Sequence, residues 1–218
     1  MTRKMAVSLA AAALLAVGAT GIAAVLGQLA VPLDGSKPAV AETNLGDLVA
    51  DAIRAATEAD FAFIQASALQ PVSVTAGPID TDQARSMLVL PDEPLVVLRL
   101  TGAAIKETLE RSLALLPYPN KGFLQVSGLK VRYDPRLPAG ARTLDIIVAA
   151  AGAPLDQGKT YRVAMPDSLA RGALGYFRVF NSAQREQTEI TLIQALSSYV
   201  SAKSPVKQRV EGRIQSTQ

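Results

Sequence analysis

Histidine and cysteine are both absent from the 218-residue chain. Without cysteine there is no disulfide, no thiolate metal site and no thiol nucleophile. Without histidine the chain lacks the commonest general base near neutral pH and the commonest ligand of transition metals. A Ser-His-Asp triad is therefore excluded, and only a hard cation held by carboxylates could bind as a metal. We expect no catalytic residue, no metal ligand set and no cofactor.

Charged residues are few and are not clustered. They make up 19% of the chain, and the formal net charge is only +3. The positive residues are scattered, which gives no polybasic stripe and predicts no nucleic-acid partner. Apolar residues make up 49% of the chain, a fraction typical of a packed globular protein. The length is sufficient for one domain with a sizeable core, or at most two small ones.

The N-terminus has the pattern of a targeting segment. Arg3 and Lys4 precede an apolar run over residues 5–17, and small residues follow up to Gly21. This order predicts a signal peptide over residues 1–21 and a domain over residues 22–218. A retained membrane anchor is the alternative, because the apolar stretch extends to Leu26 and is long enough to span a bilayer. Both interpretations predict export to the periplasm or the extracellular space, with membrane attachment only if the segment is uncleaved.

The apolar residues of the remaining chain recur with both helical and strand periods. Residues 44–56 have one apolar stripe at helical spacing, and residues 94–100 and 129–133 have strand patterns. A second helix follows Gly102. Because the two patterns do not alternate strictly, we predict an α+β fold, a single domain with a mixed β-sheet packed by helices. Further strands are predicted at 61–64, 144–149 and 161–165, and a last helix around 192–200.

Two acidic residues lie one turn apart on the predicted first helix. Asp47 and Asp51 are four positions apart. A carboxylate pair at this spacing either belongs to a solvated helix face or binds a cation or shares a proton.

Six short motifs, in order and at characteristic spacing, resemble one known family. The motifs are ETNLGDLVADA at 42–52, LRLTGA at 98–103, GFLQVSGL at 122–129, YDP at 133–135, KTYRVA at 159–164 and EGRI at 211–214. On these motifs the chain resembles the C-terminal domain of the 5'-nucleotidases and UDP-sugar hydrolases over nearly everything after about Ile22.

The resemblance implies a role in nucleotide catabolism. Family members usually have an N-terminal metallophosphatase domain, whose two metal ions are held by Asp, His and Asn, and a C-terminal domain that binds the nucleoside. Here the predicted signal peptide runs directly into the second domain. We therefore expect a substrate-recognition domain that does not hydrolyse phosphate esters alone. The alternative is a recognition subunit of a split hydrolase, acting with a separate metallophosphatase chain.

The family's substrate-binding residues are largely replaced in this chain. The family segment Asn-Gly-Gly-Gly-Ile-Arg matches residues 65–70, where Gln70 takes the place of the arginine. In the segment matching residues 167–176, Ser168 takes the place of a stacking phenylalanine and Leu174 that of an aspartate. The resemblance implies a degenerate substrate site that binds a nucleoside-like molecule weakly. Its candidate residues are Phe123, a surviving stacking ring or a loop buttress; Gln70; Ser168; and Tyr176, a replacement ring or a core residue.

Overall fold

A computed structural model describes residues 25–217 of the chain. The predicted signal peptide over residues 1–21 lies outside the described residues. In the described part, no helix is both long and apolar enough to cross a membrane. Strands and helices are mixed without regular alternation, which confirms the predicted α+β class and the mixed sheet packed by helices.

Within residues 25–217 the strands form one five-stranded sheet, one four-stranded sheet and two small two-stranded sheets. In chain order the strands are β1 Val25–Leu29, β2 Leu33–Asp34, β3 Phe61–Gln65, β4 Ser73–Val74, β5 Gly77–Asp80, β6 Pro94–Thr101, β7 Leu124–Ser127, β8 Leu129–Tyr133, β9 Thr143–Val148, β10 Ala153–Pro154, β11 Thr160–Pro166, β12 Gln184–Thr191 and β13 Ile214–Ser216. The α-helices are α1 Asn44–Thr57, α2 Thr81–Ser86, α3 Gly102–Leu113, α4 Asp167–Ala170, α5 Phe177–Phe180 and α6 Leu192–Lys203.

The five-stranded sheet has the order β12-β6-β11-β3-β7. Strands β3 and β11 are parallel, and the other three pairings are antiparallel. Four consecutive residues of β6, from Leu95 to Leu98, are fully buried, which a strand permits only when both faces of its sheet are covered. Leu95 and Val97 join a core with α1 and α6, whereas Val96 and Leu98 join a core with α3 and the four-stranded sheet. Successive side chains of β6 therefore pack alternately into two hydrophobic cores, one on each face of the sheet.

The first helix begins and ends with recognisable caps. The Thr43 hydroxyl accepts a hydrogen bond from the Gly46 N–H at 3.0 Å and caps the N-terminus. The helix ends at Thr57, and Glu58 adopts the left-handed conformation with φ 51°. The predicted helix over residues 44–56 is therefore confirmed to within one residue.

The second sheet has the order β10-β9-β8-β13. Its last strand, β13, comes from the C-terminus and pairs parallel to β8. The predicted strands over residues 129–133 and 144–149 are both confirmed, the second one residue earlier. The C-terminal residues are thereby integrated into the domain.

The two carboxylates of α1 do not form a solvated face, so that interpretation is wrong. Asp47 is 0% exposed, and neither of its oxygens has a hydrogen-bond partner in the described chain. Both oxygens of Asp51 accept hydrogen bonds from Arg213 at 2.8 Å. Arg213 is itself buried and comes from the C-terminal segment, 162 positions from Asp51. Such a contact cannot be read from the local spacing of the two acids.

Candidate functional site

The topology of the central sheet gathers four loops at one edge. Because β3 and β11 are parallel neighbours, their C-terminal ends meet there. Strands β6 and β7 are antiparallel to them, so their N-terminal ends meet at the same edge. Gln65 ends β3, Asp167 follows β11, Glu93 precedes β6 and Phe123 precedes β7. This edge therefore brings together the three segments that the sequence predicted as the site.

Polar side chains connect three of these loops. The Gln65 amide Nε2 donates to Ser168 Oγ at 3.2 Å, and Glu93 Oε1 accepts from the Ser168 N–H at 2.7 Å. Asp167 Oδ2 accepts from Arg171 Nε at 2.6 Å. One oxygen of Gln65 and one of Asp167 are buried without a partner within the described chain. Ser168 is thus held between a glutamine and a glutamate, and the edge is rich in acceptors.

The two predicted aromatic residues lie beneath the edge, in the core. Phe123 and Tyr176 are both 0% exposed. The Phe123 carbonyl accepts from the Ala66 N–H at 2.8 Å, and the Tyr176 hydroxyl donates to the Gly122 carbonyl at 2.6 Å. The Tyr176 ring stacks on Phe180, with centroids 5.5 Å apart. Burial raises the pKa of the Tyr176 phenol, which therefore stays a neutral donor.

An open groove lies beside this edge, with a volume of about 600 Å³. Its walls come from residues 36–40, 66–71 and 119–121. Gln70 lines it, and it is the one predicted site residue that does so in the part of the chain that the structure describes. Hydrogen bonds of backbones and side chains therefore join the predicted segments, but the four predicted side chains do not line one cavity.

One buried amide fixes a wall of this groove. Gln125 is 0% exposed, and its Nε2 donates to the carbonyls of Pro38 at 3.1 Å and Ala41 at 2.8 Å. Its Oε1 accepts from the Thr43 N–H at 3.0 Å. The Gln125 side chain occupies the space beside Gly46, where an added Cβ would lie 2.4 Å from Gln125 Cγ. The absence of a side chain at Gly46, in the first turn of α1, therefore leaves room for the Gln125 amide.

Backbone hydrogen bonds connect the groove's walls to one another. The Asn120 N–H donates to the Ala39 carbonyl at 2.9 Å, and the Ser67 N–H donates to the Lys121 carbonyl at 3.0 Å. These bonds join the first wall to the third and the second to the third. The groove is therefore preformed rather than assembled from independent loops.

Two residues that shape this region were not predicted from the sequence. Glu93 lies between two prolines in the segment PDEP, which indicates a turn but no contact with Ser168. Gln125 does have a signal: it is a polar residue within the otherwise buried run FLQV, and a buried polar side chain must find partners. Within residues 25–217, no group of three acidic side chains is arranged to hold a metal ion.

Comparison with known families decides the assignment. A family model described as 5'-nucleotidase, C-terminal domain, matches residues 25–182. The chain belongs to the 5'-nucleotidase C-terminal domain family. The resemblance seen in the six motifs is thereby confirmed, and the matched span includes all four loops at the edge of the sheet.

Relatives of this family member are much longer than the chain. A 5'-nucleotidase-related protein from Glossina morsitans morsitans is 36% identical over 166 residues, covering 72% of this chain and 29% of that protein. A 5'-nucleotidase from Diplobatis ommata is 30% identical over 210 residues, covering 87% and 36%. A 5'-nucleotidase precursor from Thermus thermophilus has a similar crystal structure, with a TM-score of 0.81, 29% identity and coverage of 88% and 39%. The chain spans roughly a third of the length of these relatives.

Proposed function

We propose that this family member is an exported recognition domain that binds a small molecule and does not itself hydrolyse phosphate esters. The observation that carries the proposal is the preformed groove beside the edge where Gln65, Ser168 and Phe123 converge. Its relatives are named 5'-nucleotidases, which supports a family role in nucleotide catabolism. Concave, preformed sites of this size are typical of small-molecule binding.

The residue content supports a non-catalytic role. The chain has no histidine, whereas the hydrolytic domain to which the resemblance points binds its two metal ions partly through histidine. The decisive experiment is phosphate release from AMP and UDP-glucose by the purified full chain, with and without added divalent metal. We expect no turnover above the blank. Turnover that a Gln70→Ala change in this chain abolishes would show that the domain is catalytic.

The replaced residues support weak nucleoside binding. Gln70 lines the groove where the family motif has arginine, and Ser168 stands where it has a stacking ring. Restoring Gln70→Arg, Ser168→Phe and Leu174→Asp together should strengthen adenosine binding in calorimetry, because stacking and charged hydrogen bonds are each worth about 1–3 kcal/mol. The Gln70→Arg single variant is the control and should gain little. Equal binding by the parent and the triple variant would show that these three positions do not contact a bound nucleoside.

A second candidate, a recognition subunit that pairs with a separate metallophosphatase chain, has support in the surface. Several large apolar side chains on the segments that connect the strands beside the same sheet edge are exposed: Leu90 by 58%, Tyr118 by 75% and Phe177, the first residue of α5, by 60%. Exposed apolar groups on one side of a domain are typical of protein interfaces. Co-purification with a metallophosphatase that is lost in a Tyr118→Ser, Phe177→Ser variant would establish the pairing. Retention in that variant would exclude this surface.

Export is tested separately. Fractionation of cells that express the full chain should place it outside the cytoplasm, shortened near Ala19 to Ala24 if the signal is cleaved. Full-length chain in the soluble cytoplasmic fraction would contradict this part of the proposal.

A further inference from the structure

We propose that the groove between residues 36–40, 66–71 and 119–121 binds a small apolar anion, a carboxylate on a hydrocarbon body, rather than a free nucleoside. This inference rests on the proposed recognition function and specifies its ligand class. It combines two properties of the groove, an apolar floor and a cationic rim, with the rigidity of its walls.

The floor of the groove offers few hydrogen bonds. Seven of its twelve lining residues are apolar, three of them prolines: Pro38, Ala39, Val40, Ala66, Leu69, Pro71 and Pro119. The neutral polar side chains of the lining are those of Ser36, Ser67 and Gln70. A buried ribose or base needs hydrogen-bond partners for its hydroxyl and amino groups, and leaving such groups unpaired is costly. A hydrocarbon ring loses nothing of this kind on entry. The floor therefore favours the apolar body of a ligand over a nucleoside.

The rim of the groove is cationic. Lys37 and Lys121 line it from two of its walls, and no acidic residue of the described chain lines it. The nearest acid in sequence to Lys37 is Asp34, whose carboxylate accepts a hydrogen bond from the Ser36 N–H at 2.8 Å. Lys121 makes no salt bridge within the described residues. A ligand with one anionic group thus finds complementary charge, chiefly at Lys121.

The volume and rigidity of the groove match a ligand of this size. Its volume of about 600 Å³ lies within the range of about 300–1,000 Å³ that small-molecule sites occupy. Gln125 fixes the wall that carries Pro38, and the Asn120 N–H joins that wall to the segment bearing Lys121. A preformed site saves the cost of ordering its walls when the ligand binds. Gln125 is accordingly a positioning residue for this groove.

The test is a binding series with the full chain, using phenylbutyrate, its neutral amide phenylbutyramide, adenosine and inorganic phosphate as probes. We expect phenylbutyrate to bind more tightly than the other three. The Lys121→Met variant should weaken phenylbutyrate binding on the order of fivefold and leave phenylbutyramide unchanged. The matched control is Lys130→Met, because Lys130 is an exposed lysine of β8 outside the groove. It should leave every affinity unchanged.

Each result distinguishes this inference from the broader function. If the carboxylate and its amide bind equally, or if Lys121→Met and Lys130→Met have the same effect, the cationic rim is not the recognition element and the inference is overturned. If adenosine binds and phenylbutyrate does not, the inference is overturned while the recognition function stands. If none of the four probes binds at millimolar concentration, both are contradicted.

Discussion

Asp47 is a carboxylic acid in an environment that disfavours its charged form. It is fully buried on α1, and neither carboxylate oxygen has a hydrogen-bond partner in the described structure, although Arg213 Nε lies 3.6 Å from Oδ1. Burial raises its pKa to about 9, the positive charge of Arg213 opposes this shift, and neighbouring Glu42 and Asp51 add to it. Burial therefore favours the neutral acid at Asp47, and the contact with Arg213 favours the carboxylate.

This environment predicts a dependence of stability on pH. The pKa of Asp47 is raised in the folded state from 3.8 to about 9, so the unfolded chain releases the proton first. The contribution of the Asp47 proton to the free energy of unfolding is therefore fully present below pH ~4. It is lost as the pH rises towards ~9, by at most about 1.4 kcal/mol per pH unit. The Asp47→Asn variant cannot release a proton. Urea unfolding at pH 5, 7 and 9 should show a flatter profile for it and a higher stability than the parent at pH 9.

The neighbouring carboxylate provides the control. Asp51 accepts two hydrogen bonds from Arg213 and one from Ser127, so Asp51→Asn should lower stability at all three pH values by about 1.5–3 kcal/mol. If Asp47→Asn keeps the parent's slope between pH 5 and 9, then Asp47 is ionised in the folded protein and the charge of Arg213 outweighs the effect of burial.

At the scale of elements, the success of the sequence-based predictions follows from burial. Helix α1 and strand β6 were predicted closely because each has apolar residues on a regular period. Strand β12, with the sequence QREQTEIT, was missed because its residues are mostly exposed and it lies at the edge of the sheet. The strand is held in place by its backbone hydrogen bonds to β6, and an apolar pattern of its own is not needed. Edge strands are formed by their neighbours, which a local pattern does not show.

The packing of α1 on β7 predicts an unusual glycine requirement. Changing an exposed glycine within a helix to alanine usually raises the stability of the protein by about 1 kcal/mol. Gly46 should behave in the opposite way, because its Cβ would lie 2.4 Å from Gln125 Cγ. We expect Gly46→Ala to cost roughly 1–3 kcal/mol in chemical unfolding. Shortening the obstructing side chain with Gln125→Ala should recover part of that loss, and purely additive losses in the double variant would contradict the proposed contact.

The C-terminus of α1 predicts a stabilising change. Glu58 has φ 51° and an exposed side chain, a conformation that costs an ordinary residue roughly 1–2 kcal/mol. Glycine adopts it without that cost, although it also raises the entropy of the unfolded chain. Glu58→Gly should therefore raise the free energy of unfolding by about 0.5–1 kcal/mol. Glu58→Ala keeps the strained conformation and is the control, and an equal gain from both variants would show that the charge matters instead of the backbone.

At the scale of the whole molecule, the sequence predicted which segments meet but not what faces the groove. The motifs placed residues 65–70, 122–129 and 167–176 together, and the hydrogen bonds between them confirm this proximity. The roles of Phe123 and Tyr176 as ligand contacts remain predictions, and the structure places both rings in the core. Side chains alternate between the two faces of a strand, so the direction of a side chain in the following loop depends on the residue at which the strand ends. A motif match does not determine that residue.

The C-terminal segment closes the domain through a buried charged cluster. Both oxygens of the Glu42 carboxylate accept backbone hydrogen bonds, from the N–H groups of Glu211 and Ile214 at 2.8 and 2.9 Å. Arg213 donates to both oxygens of Asp51 and to the Val126 carbonyl. One segment thus contacts the first helix, the central sheet and the second sheet. The cluster joins parts of the chain that are more than 160 residues apart.

This architecture predicts that one arginine has an effect far beyond its size. Arg213→Met keeps most of the side-chain volume but leaves Asp51 without its counter-charge, which should cost about 3–5 kcal/mol. The control is Arg132→Met, whose pair with Asp145 is exposed and should be worth less than about 1 kcal/mol. Adding Asp51→Asn to Arg213→Met should restore part of the loss, because it removes the uncompensated buried charge. Chemical unfolding of the four proteins at pH 7 measures these terms. Equal losses from the two arginine changes would mean that the C-terminal segment is held by its strand pairing and apolar contacts, and that the buried charges contribute little to closing the domain.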